Sequence, residues 1–301
     1  MNVKLGINAC FAIKRWPLGK NWLRIVKEDL ELNLAQFSFD LVDPILHKAS
    51  RDVMVEEIKE ATRNYQVEIP TTFTGLAGYC LSLLLHPSPA MRRDALSWYE
   101  EAIKMTAALG AKGTVGHVGA LSIDDFNHSS RKKYLTQCLV DSLQYLSQVA
   151  KREGLSYLLW ETMPVPRERP ITISEAKELY GLVNEKSVLP IHYCLDVGHQ
   201  CAYSAKGDDK SPYAWIKELA PQSPVIHIQQ TDGEGDRHWP FTSQYNKKGI
   251  IVPSKILEAI EYSGADQVTL MLEIVHPFEA QETDVKSDLK ESVDYWRKYL
   301  V

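Results

Sequence analysis

Eight short apolar runs recur along the chain, separated by longer stretches with helical spacing, and this alternation constrains the fold more than any single motif. The runs are VKLGINA (3–9), LAQFSFD (34–40), QVEIPTTF (66–73), AKGTVGHV (111–118), LSYLLWE (155–161), PIHYCLD (190–196), PVIHIQQ (224–230) and VTLMLEI (268–274). In 94–109, Ala95, Trp98, Ile103, Ala107 and Leu109 fall broadly on one side, and Glu100, Glu101 and Lys104 mostly on the other. That pattern predicts an amphipathic helix, stopped by Gly110. ITISEAKELYGLV predicts another, with Thr172 or Ser174 as its N-cap. Eight strand–helix units in 301 residues match the count and size of a (β/α)8 TIM barrel in the α/β class. A doubly wound sheet would also alternate, but eight regular units favour closure. No linker or low-complexity segment divides the chain, so residues 1–301 are expected to form one TIM-barrel domain.

Charge and cysteine usage narrow the partners. A net charge of −5 and a pI near 6.0 argue against a general nucleic-acid binder. The five cysteines (Cys10, Cys80, Cys138, Cys194 and Cys201) are scattered, with no CxxC pair, which predicts reduced thiols and a cytoplasmic protein. MNVKLGINACFAIKRW is interrupted by charge and polarity, unlike a signal peptide, and no apolar run is long enough to span a membrane.

In a barrel of this kind the active site sits where the strands end. Predicted strand five ends at Glu161, strand six at Asp196, strand seven near Gln229 and strand eight at Glu273. Four oxygen-bearing side chains, three of them carboxylates, should therefore meet at one rim. Carboxylates crowded at low dielectric repel strongly. A divalent cation is the usual remedy, and hard oxygen donors suit Mg2+ or Mn2+. One acid at a strand end is ordinarily a helix cap or a loop residue; four consecutive strands ending this way weaken that reading. In CLDVGH (194–199) the turn after Asp196 carries His199 back towards it. His199 suits a structural hydrogen bond or a catalytic role equally. His227, just inside strand seven, reads as an inward-pointing supporting or core histidine, and His117, at the end of strand four, as pocket lining or structure.

These residues resemble the xylose isomerase-like TIM-barrel superfamily, in the sugar isomerase/epimerase group that contains the ketose 3-epimerases. The resemblance covers nearly the whole chain and is carried by LLWETM, LDVGH, HIQQTDGEGDRHWPF and MLEIVHPFE. It implies one divalent ion held by Glu, Asp, His and Glu. Glu161, Asp196 and Glu273 match directly. The third position looks like Gln229, with His227 as the alternative if strand seven is shifted by two. Mn2+ or Mg2+ is the expected ion, with Co2+ or Zn2+ as alternatives. The resemblance further implies contacts to substrate hydroxyls from Glu168 in PVPRER, His199 and Arg237. Trp16, Phe73, Trp160, Trp239 and Phe241 lie near predicted strand ends, where rings can pack on sugar C–H faces; ordinary packing is the competing reading. Trp16, Trp239 and His117 are taken as substrate lining, and Lys14 and Arg15 as solvated loop charges.

The activity so implied is proton transfer next to a ketone, on a small ketose or ketose phosphate. The metal ion would stabilise an enediolate, with Glu161 and Glu273 as bases. Two opposed bases give epimerisation; one base moving a proton from carbon to carbon gives aldose–ketose isomerisation. A polyol (inosose-type) dehydratase would use the same metal site. An apurinic endonuclease would need more strand-end histidines and a basic face. A non-catalytic sugar-binding barrel would have little use for three rim carboxylates. No nucleic-acid or membrane partner is expected, and homodimer and homotetramer are both left open.

Overall fold

The computed structural model describes residues 1–300. Among them, eight parallel strands form one sheet: β1 Asn2–Asn8, β2 Ala35–Ser38, β3 Thr72–Phe73, β4 Gly113–Gly116, β5 Tyr157–Glu161, β6 Ile191–Asp196, β7 Val225–Ile228 and β8 Gln267–Leu272. Their spatial order is β3-β2-β1-β8-β7-β6-β5-β4, and a parallel bridge between Thr71 and Gly113 joins the two remaining edges. The sheet therefore curls into the expected TIM barrel, and each predicted run overlaps its strand.

A principal helix follows each strand: α1 Gly19–Arg24, α2 Lys48–Tyr65, α3 Pro89–Leu109, α4 Ser129–Arg152, α5 Ile173–Asn184, α6 Pro212–Leu219, α7 Pro253–Ser263 and α8 Glu282–Arg297. Local chemistry sets their ends. Pro89 opens α3, where its missing N–H costs no helical bond. Gly110 stops α3 at φ 82, a left-handed conformation that needs no Cβ. Of the two candidate caps for α5, Thr172 takes the role, accepting the Glu175 N–H.

Two apolar layers hold the barrel. Outside it, Trp160, Tyr193, Leu195, Ile226, Leu270 and Leu272 pack in the main core with Trp22, Trp215 and Trp296 from the helices. Leu159, Cys194, Val225 and Met271 form a separate buried cluster. Side chains alternate faces along a strand. The next residues on the same face of these four strands are therefore Glu161, Asp196, His227 and Glu273. No described helix is long and apolar enough to cross a membrane.

Candidate metal centre

Directly above that apolar cluster, Glu161, Asp196, His227 and Glu273 converge, with one ligand-type atom of each within 4.8 Å of the others. All four are buried. His227 Nδ1 lies 2.9 Å from Glu161 Oε1 and 2.9 Å from Glu273 Oε2. Asp196 Oδ1 accepts the Gly198 N–H at 2.6 Å and the Gln229 side-chain N–H at 3.0 Å. Asp196 Oδ2 is buried with no hydrogen-bond partner.

The electrostatics of this group are unbalanced. Burial pushes the Glu161 carboxyl up to about 6, against the pull of His227. Burial acts on Glu273 too, but His227, His238 and His199 outweigh it and bring that carboxyl down to about 2. Burial also opposes charge on His227, yet Cys194, Glu273 and Glu161 hold its imidazole well above the usual range. Three buried carboxylates, one of them with an unpartnered oxygen, and one imidazole form a donor set suited to a divalent cation.

Gln229 stands apart from this set. Its Oε1 accepts the backbone N–H groups of Arg237, at 3.2 Å, and His238, which turns Nε2 towards Asp196 and towards Asp236 at 2.8 Å. A nitrogen donor, not an oxygen, thus faces the acids. The pairing of β6 with β7 sets His227 beside Asp196. The expected third oxygen from Gln229 does not face the acids in this geometry; His227 stands level with Asp196 instead.

His199 is brought to the group. Its Nδ1 donates to the Thr162 carbonyl at 2.7 Å. Its Nε2 points at Asp236, at 3.4 Å, and Asp196, at 3.9 Å, without a hydrogen bond to either. Glu168 is buried in the loop after β5 with its Oε2 unpartnered. Burial pushes its carboxyl up to about 7, with His199 and Arg167 pulling the other way. The flanking arginines are engaged elsewhere, Arg167 on the Leu121 carbonyl and Arg169 on Glu175.

The remaining expected residues do not join the group. Arg237 is exposed, paired with Asp232 at 3.0 Å, and lies over the Trp239 ring at 5.4 Å. The other cation on Trp239 is Lys248, at 4.1 Å. Both nitrogens of His117 are occupied, by Thr74 Oγ1 at 3.2 Å and the Gly78 carbonyl at 2.9 Å. Burial lowers the His117 imidazole to about 4. Trp16 tilts against Phe11 with ring centres 6.1 Å apart. Trp160 and Phe241 are packing residues, against Tyr193 and against Tyr295 and Trp296. Phe73 meets the edge of the His227 ring at 4.9 Å. Lys14 is exposed over Phe278, and Arg15 donates to the Pro277 carbonyl.

Sequence reasoning missed four polar residues around the centre: Asp236, His238, Asn8 and Gln36. His238 Nε2 lies 3.1 Å from Asp236 Oδ1, and its Nδ1 donates to the Glu273 carbonyl at 3.1 Å. Burial opposes charge on His238, but Asp236 outweighs it and raises the ring to about 10. The loop returns to the rim because Gln230 and Trp239 exchange antiparallel backbone hydrogen bonds. The acid and histidine two apart in GDRH were a readable signal.

The family model described as xylose isomerase-like TIM barrel matches residues 30–299. The chain is 27% identical over 302 residues to a D-erythrulose 1-phosphate 3-epimerase from Brucella abortus (strain 2308), covering 100% of this chain and 97% of that protein. It is similar to the crystal structure of a putative xylose isomerase from Rhodospirillum rubrum, with a TM-score of 0.91, 30% identity and 99% of each chain covered. It shares its fold with a D-psicose 3-epimerase from Clostridium cellulolyticum H10, with a TM-score of 0.74, 16% identity and 99% of each chain covered.

Proposed function

Because this chain belongs to the xylose isomerase-like TIM-barrel family, we propose that it is a divalent-metal-dependent epimerase of a small ketose or ketose phosphate. The observation that carries the reading is the convergence of Glu161, Asp196, His227 and Glu273 above the apolar barrel interior. These four would hold the ion. When bound, it would supply positive charge for the negative charge that builds on a substrate carbonyl oxygen.

The protein's own groups carry the protons. Glu161 and Glu273 come from β5 and β8, with β6 and β7 between them. One carboxylate takes the proton from the carbon beside the carbonyl, and the electron pair of the broken C–H bond moves towards the carbonyl oxygen. The other, starting as the carboxylic acid, gives its proton to the opposite face of that carbon, which inverts it. The buried, unpartnered His199 Nε2 and Glu168 Oε2 are suited to substrate hydroxyls. Epimerisation is preferred over aldose–ketose isomerisation because two carboxylates are available and the Brucella relative is named a 3-epimerase. The same relative supports a phosphorylated four-carbon ketose as the first substrate to try. A cytoplasmic setting is part of the reading, supported by five free cysteines.

The test is turnover of D-erythrulose 1-phosphate and a panel of unphosphorylated ketoses, before and after chelation. The expected result is loss of activity with chelator and recovery with Mn2+ or Mg2+. Full activity in a rigorously metal-free preparation would overturn the reading.

A further inference from the structure

We infer that Gln36, on β2, is a positioning residue that decides which ring nitrogen of His227 faces the carboxylates. The inference rests on the proposed metal role of His227 for its consequence, but not for its geometry.

The Cys10 N–H can only donate, and it does so to Asn8 Oδ1 at 3.0 Å. The other arm of Asn8 is therefore its NH2 group, which donates to Gln36 Oε1 at 3.0 Å and to Glu273 Oε1 at 3.1 Å. The Gln36 atom that receives it is a carbonyl oxygen, and the Gln36 Nε2 turns away to Thr71 Oγ1 at 3.0 Å. A carbonyl oxygen has no proton to give. His227 Nε2, 2.7 Å from that same oxygen, must therefore be the N–H of the ring. With Nε2 so fixed, Nδ1 is the nitrogen turned towards the acids, 2.9 Å from Glu161 and Glu273, and the one that would give its lone pair to a cation in exchange for a proton.

Both Gln36 and His227 are fully buried, so no solvent route competes for Nε2. The edge contact with Phe73 restrains the ring plane. Without the Gln36 acceptor, the Nε2–H loses the partner that holds the ring with Nδ1 towards the acids. A buried ligand histidine whose second nitrogen donates to a fixed oxygen is a recurrent way of setting tautomer and affinity.

The test compares Gln36→Leu, which removes the acceptor, with Gln36→Glu, which keeps an acceptor oxygen in place. Affinity is measured by titrating Mn2+ alone into metal-free protein of each kind. Whether Nε2 carries a proton is read from the imidazole 15N resonances of His227 in metal-free wild-type protein. The expected results are an Nε2–H ring, a loss of about 10- to 100-fold in Mn2+ affinity for Gln36→Leu, and near-wild-type affinity for Gln36→Glu. A general packing defect would not be repaired by the glutamate, so rescue separates positioning from mere structure. An Nε2 without a proton in the wild type, or a Gln36→Leu protein that binds Mn2+ as the wild type does, overturns the inference. A wild-type protein that binds no Mn2+ overturns the metal reading instead, and the 15N measurement still decides the state of Nε2.

Discussion

The Gln229 side chain lies across the Cα of Gly198, so closely that a Cβ on residue 198 would stand 2.3 Å from the amide carbon of Gln229. The glycine of CLDVGH is therefore there for space. It lets the Gln229 amide reach over the turn to Asp196 and to the 236–238 loop. Gly198→Ala should destabilise the fold by about 1–3 kcal/mol through overpacking, and should weaken metal binding by displacing Gln229. Thermal melting and an Mn2+ titration check both; an alanine variant indistinguishable from wild type in each contradicts this account of the turn.

Gln229→Ala should leave the ligands present but Asp196 less well oriented, because one of the two N–H groups that hold Oδ1 is lost. The expected cost is about 10- to 100-fold in metal affinity. His227→Ala removes a donor and should cost more. If the ranking reverses, with His227→Ala retaining the ion and Gln229→Ala losing it, the third position belongs to Gln229.

Glu161→Gln and Glu273→Gln keep size and a carbonyl oxygen but remove a base. Each should lower turnover by about 10²- to 10⁴-fold once metal loading is matched. With two bases, one of these variants should still exchange the substrate proton with solvent without completing inversion. Near-wild-type turnover in both metal-loaded variants would move the base role to Glu168 or His199.

His117 gives the fold a dependence on acid. Its imidazole is lowered from 6.5 to about 4 in the folded protein, chiefly by burial, with His199 acting in the same direction and the Gly78 carbonyl against it. The ring also packs edge-on against Tyr79. Between these two values the unfolded chain binds a proton that the folded chain does not. Stability from this group is therefore lost as pH falls, by roughly 3 kcal/mol at pH 4 relative to neutral pH. Melting temperatures of wild type and His117→Gln should diverge less as pH drops from 6.5 to 4, because the variant has no such proton to take up. Parallel pH profiles would show that His117 is not the group responsible.

The barrel was legible because each strand is a short apolar run and each helix has its own period and stop signal, as at Gly110 and Thr172. Glu161, Asp196 and Glu273 were legible because a run that stops on an acid marks its own end. His227 and Gln229 were not separable in the same way. They are two residues apart, so strand periodicity puts both on the same face, and only the pairing of β7 with β6 says which stands level with the acids. The inner apolar cluster gives the same answer, since Leu159, Cys194, Val225 and Met271 each precede a member of the centre by two residues. Asp236 and His238 come from a loop whose return depends on the hydrogen bonds between Gln230 and Trp239, a tertiary feature that no periodicity carries. Asn8 and Gln36 were visible as polar residues inside buried strands, but their partners lie on other strands. Trp160 misled for a related reason: it sits one position before Glu161 and so faces the helices.

The central claim is proton transfer at a carbon next to a ketone, and deuterium exchange reads it most directly. Mn2+-loaded protein in D2O is given D-erythrulose 1-phosphate and a panel of tetroses to hexoses, free and phosphorylated, and the recovered sugars are analysed by mass and NMR. The account predicts one deuterium at the carbon beside the carbonyl of a ketose, with the epimer accumulating. It also predicts no exchange in the metal-free protein. An unsaturated product, or no exchange in any sugar by fully metal-loaded protein, would contradict it.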